Sequence, residues 1–252
     1  MRQLFSLYGP LGIQSFGLFI VAGIIIFTYL FLRDPRSKKL INTEQYYNLL
    51  SIAILAGFAG GRLLFALTNW HSFGPVWNIF AFWQGGYSLL GGIVALMIVG
   101  PWYLKNHHIP IVPLLDVVSV YAPLLQAVSR IGCYFAGCCY GVPTASALGI
   151  YAADCATKLH PTQLYSAGLL FALFFILYLF GHRLFKKTGQ ITNAYLIGMS
   201  IERFVVDFWR GDREFSFISH ALSISQLIAL SITMVGICGF IFFTFESKRK
   251  KS

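Results

Sequence analysis

Charged side chains are scarce in this sequence. Lysine, arginine, aspartate and glutamate make up 11% of its 252 residues, against about 25% in a water-soluble domain. Hydrophobic residues make up 57%, so a soluble enzyme is excluded and an integral membrane protein is indicated. No internal repeat and no low-complexity linker interrupts the chain, and one membrane domain over residues 1–252 is the simplest organisation. No basic block precedes the first apolar run apart from Arg2, and no small-residue cleavage site follows it. The first run is therefore expected to be a retained helix rather than a signal peptide. The paired cysteine and histidine spacings of structural zinc sites are missing too, so no metal and no cofactor is assigned.

What the sequence does have is a series of apolar runs. Stretches able to span, roughly 20 residues each, fall at about 12–32, 47–68, 78–104, 111–133, 163–182, 190–208 and 223–244. The predicted fold class is therefore an all-α membrane protein of seven transmembrane helices. A small outward-facing head segment is expected at about 134–161.

The basic residues orient these spans. Arg33, Arg36, Lys38, Lys39, Lys105, Arg183, Lys186, Lys187 and the tail Lys248, Arg249, Lys250, Lys251 fall in alternate loops, hence on one side. The other side holds only Arg2, Lys158, Arg210 and Arg213. The positive-inside rule then puts the N-terminus outside and the C-terminus in the cytoplasm. Loop anchoring against anionic lipid accounts for the net charge of +10, and no nucleic-acid partner is expected.

Polar residues inside the runs are the candidate site, because charge in hydrocarbon is costly and is kept for function. The stretch Ser129 to Gly141 ends an apolar run on Arg130, follows it with Gly132, Gly137 and Gly141, and holds Cys133, Cys138 and Cys139. With Cys155 they invite either a disulfide or a free-thiol reading. His160-Pro161-Thr162-Gln163-Leu164-Tyr165 opens the fifth run and brings His160, Gln163 and Tyr165 to one interface. Near the end of the sixth, Arg203, Asp207 and Arg210 share one helical face. Arg203 and Asp207 can pair at i, i+4, and the surplus positive charge suits a phosphate. Gly60-Gly61-Arg62 lies in the second run, with Arg62 either snorkelling to the interface or touching a headgroup. Tryptophans 70, 77 and 83 have the composition of an interfacial belt, and Gly85-Gly86-Tyr87-Ser88-Leu89-Leu90-Gly91-Gly92 opens the third run. Asp116 reads as an acid near a helix start.

In their order along the chain these motifs resemble the prolipoprotein diacylglyceryl transferase family. The residues carrying the resemblance are Gly60-Gly61-Arg62, Ser88 with Gly91 and Gly92, Asp116, Arg130-x-Gly132, Gly137, His160 to Tyr165, and Arg203-x₃-Asp207-Phe208-x-Arg210. The resemblance implies a seven-helix bundle in a bacterial inner membrane. It implies transfer of diacylglyceryl from phosphatidylglycerol to a lipobox cysteine of a prolipoprotein, with release of glycerol phosphate. Arg130 and Arg203 would hold the phosphate and Arg210 would support them. Asp207, His160 and Cys138 complete the catalytic candidates, and Arg62, Gly91, Gly92, Gly132, Gly137, Gln163 and Tyr165 the substrate-binding ones.

The sequence departs from the family pattern at informative places. Leu90 replaces a histidine of the family motif, and Cys133 to Cys138 replace a segment that carries asparagines and a carboxylate. Phe16 stands for a tyrosine, and Asp207 for a glutamate. The phosphate-holding arginines persist while proton-handling groups change, so His160 or a cysteine would take over the proton or form a covalent intermediate. A non-catalytic protein that binds anionic phospholipid, or a transferase of this fold with another acceptor, is the competing reading.

Overall fold

The computed structural model describes residues 3–8, 11–70, 86–151, 157–216 and 219–249. Trp77, Trp83, Gly85, Cys155 and the expected start of the third span lie outside them. The chain begins with a hairpin of β1 (Gln3–Tyr8) and β2 (Leu11–Gln14), paired antiparallel. The helices follow as α1 (Ser15–Arg33), the short α2 (Ser37–Leu40), α3 (Thr43–Thr68), α4 (Leu89–Asn106) and α5 (Ile111–Ala136). Then come the short pair β3 (Ile150–Tyr151) and β4 (Lys158–Leu159), α6 (Thr162–Leu184) and α7 (Gln190–Asp207). The pair β5 (Phe215–Ser216) and β6 (Ser219–Ser223) leads into α8 (Ile224–Arg249).

The protein is a multi-span, mostly helical membrane protein. Six helices among the described residues are long and apolar enough to cross a membrane. The seventh long helix, α7, carries Glu202, Arg203 and Asp207, which lower its hydropathy. The large apolar side chains of α8, among them Ile228, Met234, Val235 and Phe242, are exposed, as they must be where lipid replaces water. Helix α4 begins at Leu89, where Ser88 caps it by accepting from the Gly91 amide at 3.4 Å.

The chain forms two compact units. One comprises Leu32–Leu114 and the other Met1–Phe31 with Leu115–Ser252. In the first, a capping box starts α3: Asn42 accepts from the Gln45 amide and Gln45 from the Asn42 amide. Helices α3 and α4 touch through glycine. A methyl group added to Gly60 would lie 2.4 Å from the Ala95 Cβ and 2.6 Å from the Gly91 carbonyl oxygen. Backbone at that spacing tolerates no side chain. Gly60→Val should therefore lower stability by about 1–3 kcal/mol, visible as a lower thermal midpoint in detergent.

In the second unit α5 is the most buried span, with half of its length covered. Asp116, near its start, does not serve α5. Its carboxylate accepts from the Gly189 amide and from the amide and hydroxyl of Thr192, at 2.5, 2.9 and 2.7 Å. It thus caps α7 from a neighbouring helix, where the helix dipole favours negative charge. Asp116→Ala should cost about 1–3 kcal/mol. Faster hydrogen exchange in the first turn of α7, with α6 unchanged, is the measurement that checks it.

Candidate functional site

The site grows from the way α5 ends. Gly137 adopts φ +71°, which lets the Cys138 amide donate to the Cys133 carbonyl and the Gly137 amide to the Tyr134 carbonyl, both at 3.2 Å. This pair of bonds is a Schellman motif with Gly137 in the left-handed position after the helix. Cys139 then also turns left-handed, at φ +64°, a conformation that costs a residue bearing a Cβ about 1–2 kcal/mol. The reversed chain is pinned by the buried first turn of α6. The Thr162 hydroxyl donates to the Cys139 carbonyl at 2.7 Å and the Gln163 amide to the Cys138 carbonyl.

The reversal stacks sulfur on sulfur. The Sγ atoms of Cys133, Cys138 and Cys139 all lie within 4.8 Å of one another, with Cys138 and Cys139 at 3.6 Å. All three are free thiols, as is Cys238, so no disulfide joins the described cysteines. Hydrogen bonding with Cys133 lowers the Cys139 thiol to about 5 against the opposing effect of burial, with smaller contributions from its bond with Cys138 and the charges of Arg210 and Arg130. Burial, then the neighbouring Cys139, raises that of Cys138.

Next to the thiols the chain crosses itself. The Val142 amide donates to the Trp209 carbonyl at 2.9 Å, and Gly141 pairs with Arg210 as an antiparallel bridge. The contact carries Arg210 to the end of α5, where Arg130 sits. Sequence periodicity put Arg210 on the face of Arg203 and Asp207. In the structure α7 stops at Asp207 and Arg210 lies beyond it, clamped to Asp212 at 2.8 and 2.6 Å. That clamp, followed by its charge, holds the Asp212 carboxyl below its ordinary range, and the bond to Asp212 raises Arg210.

Arg130, Arg203 and Arg210 line one narrow crevice with Cys139, Thr162, Gln163, Ser166 and Val206. The crevice is too tight for a water molecule as it stands. Its counter-charges are unevenly shared. Arg203 bonds Ser225 at 3.0 Å and approaches Asp207 at 3.9 Å. Asp207 is 2% exposed, accepts from Ser223, and lies 3.5 Å from Arg213. Glu202 is buried on α7 and accepts from the Ser166 hydroxyl. Arg130, half-buried, has no hydrogen bond or ion pair among the described residues. The Gln163 Oε1 is buried and equally unpartnered.

A larger, mostly apolar groove of about 560 Å³ adjoins the crevice at Val206 and is lined by His160, Leu164, Tyr165, Leu169, Val205 and Trp209, among others. The His160 Nδ1 and the Tyr165 hydroxyl are 3.1 Å apart, and the Tyr165 ring meets Trp209 edge-on. His160 and Tyr165 thus belong to the groove, not the crevice.

The sequence candidates are sorted by these contacts. Arg130, Arg203, Arg210 and Gln163 meet at the crevice, while Asp207 braces Arg203 from behind. Cys138 faces the thiol cluster, and it is Cys139 that reaches the crevice wall. Gly132 serves packing, since a methyl group there would lie 2.7 Å from the Phe19 Cβ. Arg62, Gly91 and Gly92 belong to the other unit. There Arg62 is buried, donates to the Gly86 carbonyl at 3.1 Å and lies over the Tyr87 ring. Sequence reasoning gave Thr162 and Glu202 no role although both stand in the motifs it singled out, and it passed over Ser166.

A model of the family described as prolipoprotein diacylglyceryl transferase matches residues 2–242. The chain belongs to this family. It is 34% identical over 240 residues to the phosphatidylglycerol–prolipoprotein diacylglyceryl transferase of Clostridium tetani, covering 93% of this chain and 94% of the relative. It is 34% identical over 234 residues to the second such transferase of Clostridium perfringens, at 90% of each chain. The Clostridioides difficile transferase is 30% identical over 252 residues, covering all of this chain and 97% of its own. The arginine crevice at the ends of α5 and α7 lies well inside the matched region of this diacylglyceryl transferase family member.

Proposed function

We propose that this chain is a phosphatidylglycerol-dependent transferase that moves diacylglyceryl to the cysteine thiol of a prolipoprotein and releases glycerol phosphate. It would work at the outer face of a bacterial inner membrane, N-terminus outside and C-terminus in the cytoplasm, as the basic loops suggest. The observation carrying this reading is the junction of a three-arginine crevice with an apolar groove. An amphiphile with one phosphate and acyl chains needs both surfaces side by side.

The chemistry follows from the charges. Arg130 is in direct contact with no carboxylate among the described residues and would supply surplus positive charge for a phosphodiester. Arg203 and Arg210, partly neutralised by Asp207 and Asp212, add directed donors. As the bond between glyceryl carbon and phosphate oxygen breaks, negative charge grows on the phosphate. Fixed guanidinium groups in a dry crevice stabilise that charge without reorganising. The free Gln163 Oε1 is an acceptor for a hydroxyl of the departing glycerol. Acyl chains would follow the groove past Leu164 and Leu169.

Full-length protein in phosphatidylglycerol vesicles with a lipobox peptide should yield lipidated peptide and glycerol phosphate. Neither product, beside an active relative as control, would overturn the proposal. Lipid binding without product would mark a binding protein instead.

A further inference from the structure

We propose that Cys133, Cys138 and Cys139 form a three-thiolate site for a soft divalent ion, zinc by ligand type, whose open fourth position takes the acceptor cysteine. The second half rests on the transferase reading; the metal site itself does not.

Geometry is the first argument. Zinc held by thiolates at about 2.3 Å in a tetrahedron spaces the sulfurs about 3.8 Å apart. Here all three lie within 4.8 Å and one pair is already at 3.6 Å. Closing the triangle needs side-chain shifts below about 1 Å, because the backbone is preformed. Gly137 reverses the chain, and Thr162 and Gln163 hold the carbonyls of the two outer cysteines. The left-handed Cys139 is held by the Thr162 hydroxyl on its carbonyl, with its sulfur already among the other two.

Charge and ligand count are the second. Three thiolates leave a zinc complex one negative charge in excess, and Arg130 and Arg210 line the same crevice as Cys139. No histidine, carboxylate or fourth cysteine joins the group among the described residues. Three protein ligands and an open position are the arrangement of reactive, not structural, zinc. Paired cysteine motifs, whose absence argues against a structural zinc, are not required for it.

Position is the third. Cys139 belongs both to the cluster and to the wall of the arginine crevice. A thiol in the fourth position therefore lies next to the proposed phosphate. Free cysteine is mostly protonated at neutral pH, and coordination ionises it, its proton passing to water. The bound sulfur then gives an electron pair to the glyceryl carbon, the carbon–oxygen bond breaks, and its electrons leave on the phosphate as glycerol phosphate. The neutral thioether is a weak ligand and departs, and nothing is oxidised or reduced. The crevice itself offers no histidine for this proton.

Metal analysis of full-length protein, purified in detergent under reducing conditions without chelator, tests the site. One zinc per chain is expected in wild type and in Cys238→Ser. Affinity should fall by about two orders of magnitude or more in Cys133→Ser, Cys138→Ser and Cys139→Ser. Because a serine variant can misfold, cobalt loading of wild type gives a second reading, through sulfur-to-cobalt charge-transfer absorption. That absorption should change when a peptide with the acceptor cysteine is added and stay constant with its serine analogue. Wild type that takes up neither metal, or that carries a disulfide instead, overturns the site. A cobalt spectrum indifferent to the thiol peptide overturns the open position. Metal binding with no transferase activity leaves the site standing and removes the function proposed above.

Discussion

Replacing Arg130 with alanine is expected to slow glycerol phosphate release by about 10²–10³-fold, the cost of removing one preorganised donor from a developing anion. The fold should survive, because Arg130 makes no hydrogen bond or close ion pair among the described residues, and Glu202, on which its charge acts, keeps Ser166, Arg203 and Arg210. Arg203 offers no such clean test. It bonds Ser225 and faces Asp207, so Arg203→Ala mixes lost catalysis with lost stability. Arg130→Lys should recover only part of the rate, since an ammonium is a point charge without the two-pronged fit of guanidinium to phosphate. Labelled glycerol phosphate released from vesicles, read beside the thermal midpoint in detergent, checks both effects. An Arg130→Ala protein with undiminished turnover would remove the crevice from the mechanism.

Asp207→Ala should have the opposite profile, a loss of about 3–5 kcal/mol in stability. The side chain is 2% exposed and faces Arg203 at 3.9 Å and Arg213 at 3.5 Å. The Arg213 Nε is buried with no hydrogen bond of its own, so it depends on the charge of Asp207. Removing the carboxylate leaves two partly buried guanidinium groups without their shared counter-charge, Arg213 keeping its bond to Gln226 and Arg203 its bond to Ser225 and the more distant charge of Glu202. Asp207→Asn keeps a partner for the Ser223 hydroxyl but not the charge, and should lie between alanine and wild type. A double-mutant cycle with Arg213→Ala, read by thermal unfolding in detergent, isolates the pair. Additive losses would show that Asp207 and Arg213 do not interact.

The spans and the arginines were legible in the sequence for simple reasons. Lipid selects long apolar runs, and an arginine stands out against them, so Arg130 and Arg203 were found before any contact was known. Helical periodicity then went too far. Phe208 and Trp209 are as apolar as the helix before them, and nothing local announces that α7 stops at Asp207. The first span, placed at about 12–32, took in only the last three residues of the N-terminal hairpin, and the rest of the hairpin was not foreseen. Asp116 was read as an acid for its own helix, and its partners lie 73 and 76 positions away. The three thiols were counted, but their meeting depends on φ at Gly137 and on bonds from Thr162 and Gln163. Spacing does not encode that reversal.

The Asp116 cap also makes a lever. It fastens α5 to the first turn of α7, and the guanidinium groups of Arg130 and Arg203 sit toward the opposite ends of those helices. From Asp116 to Arg130 is about 21 Å along the axis. A tilt of about 3° at the fastened end therefore swings Arg130 by about 1 Å. Midway along this arm stands Pro123, whose missing N–H deletes one rung of the helix ladder and softens it there. For the phosphate proposed above, a swing of this size at the crevice would leave the Asp116 cap in place.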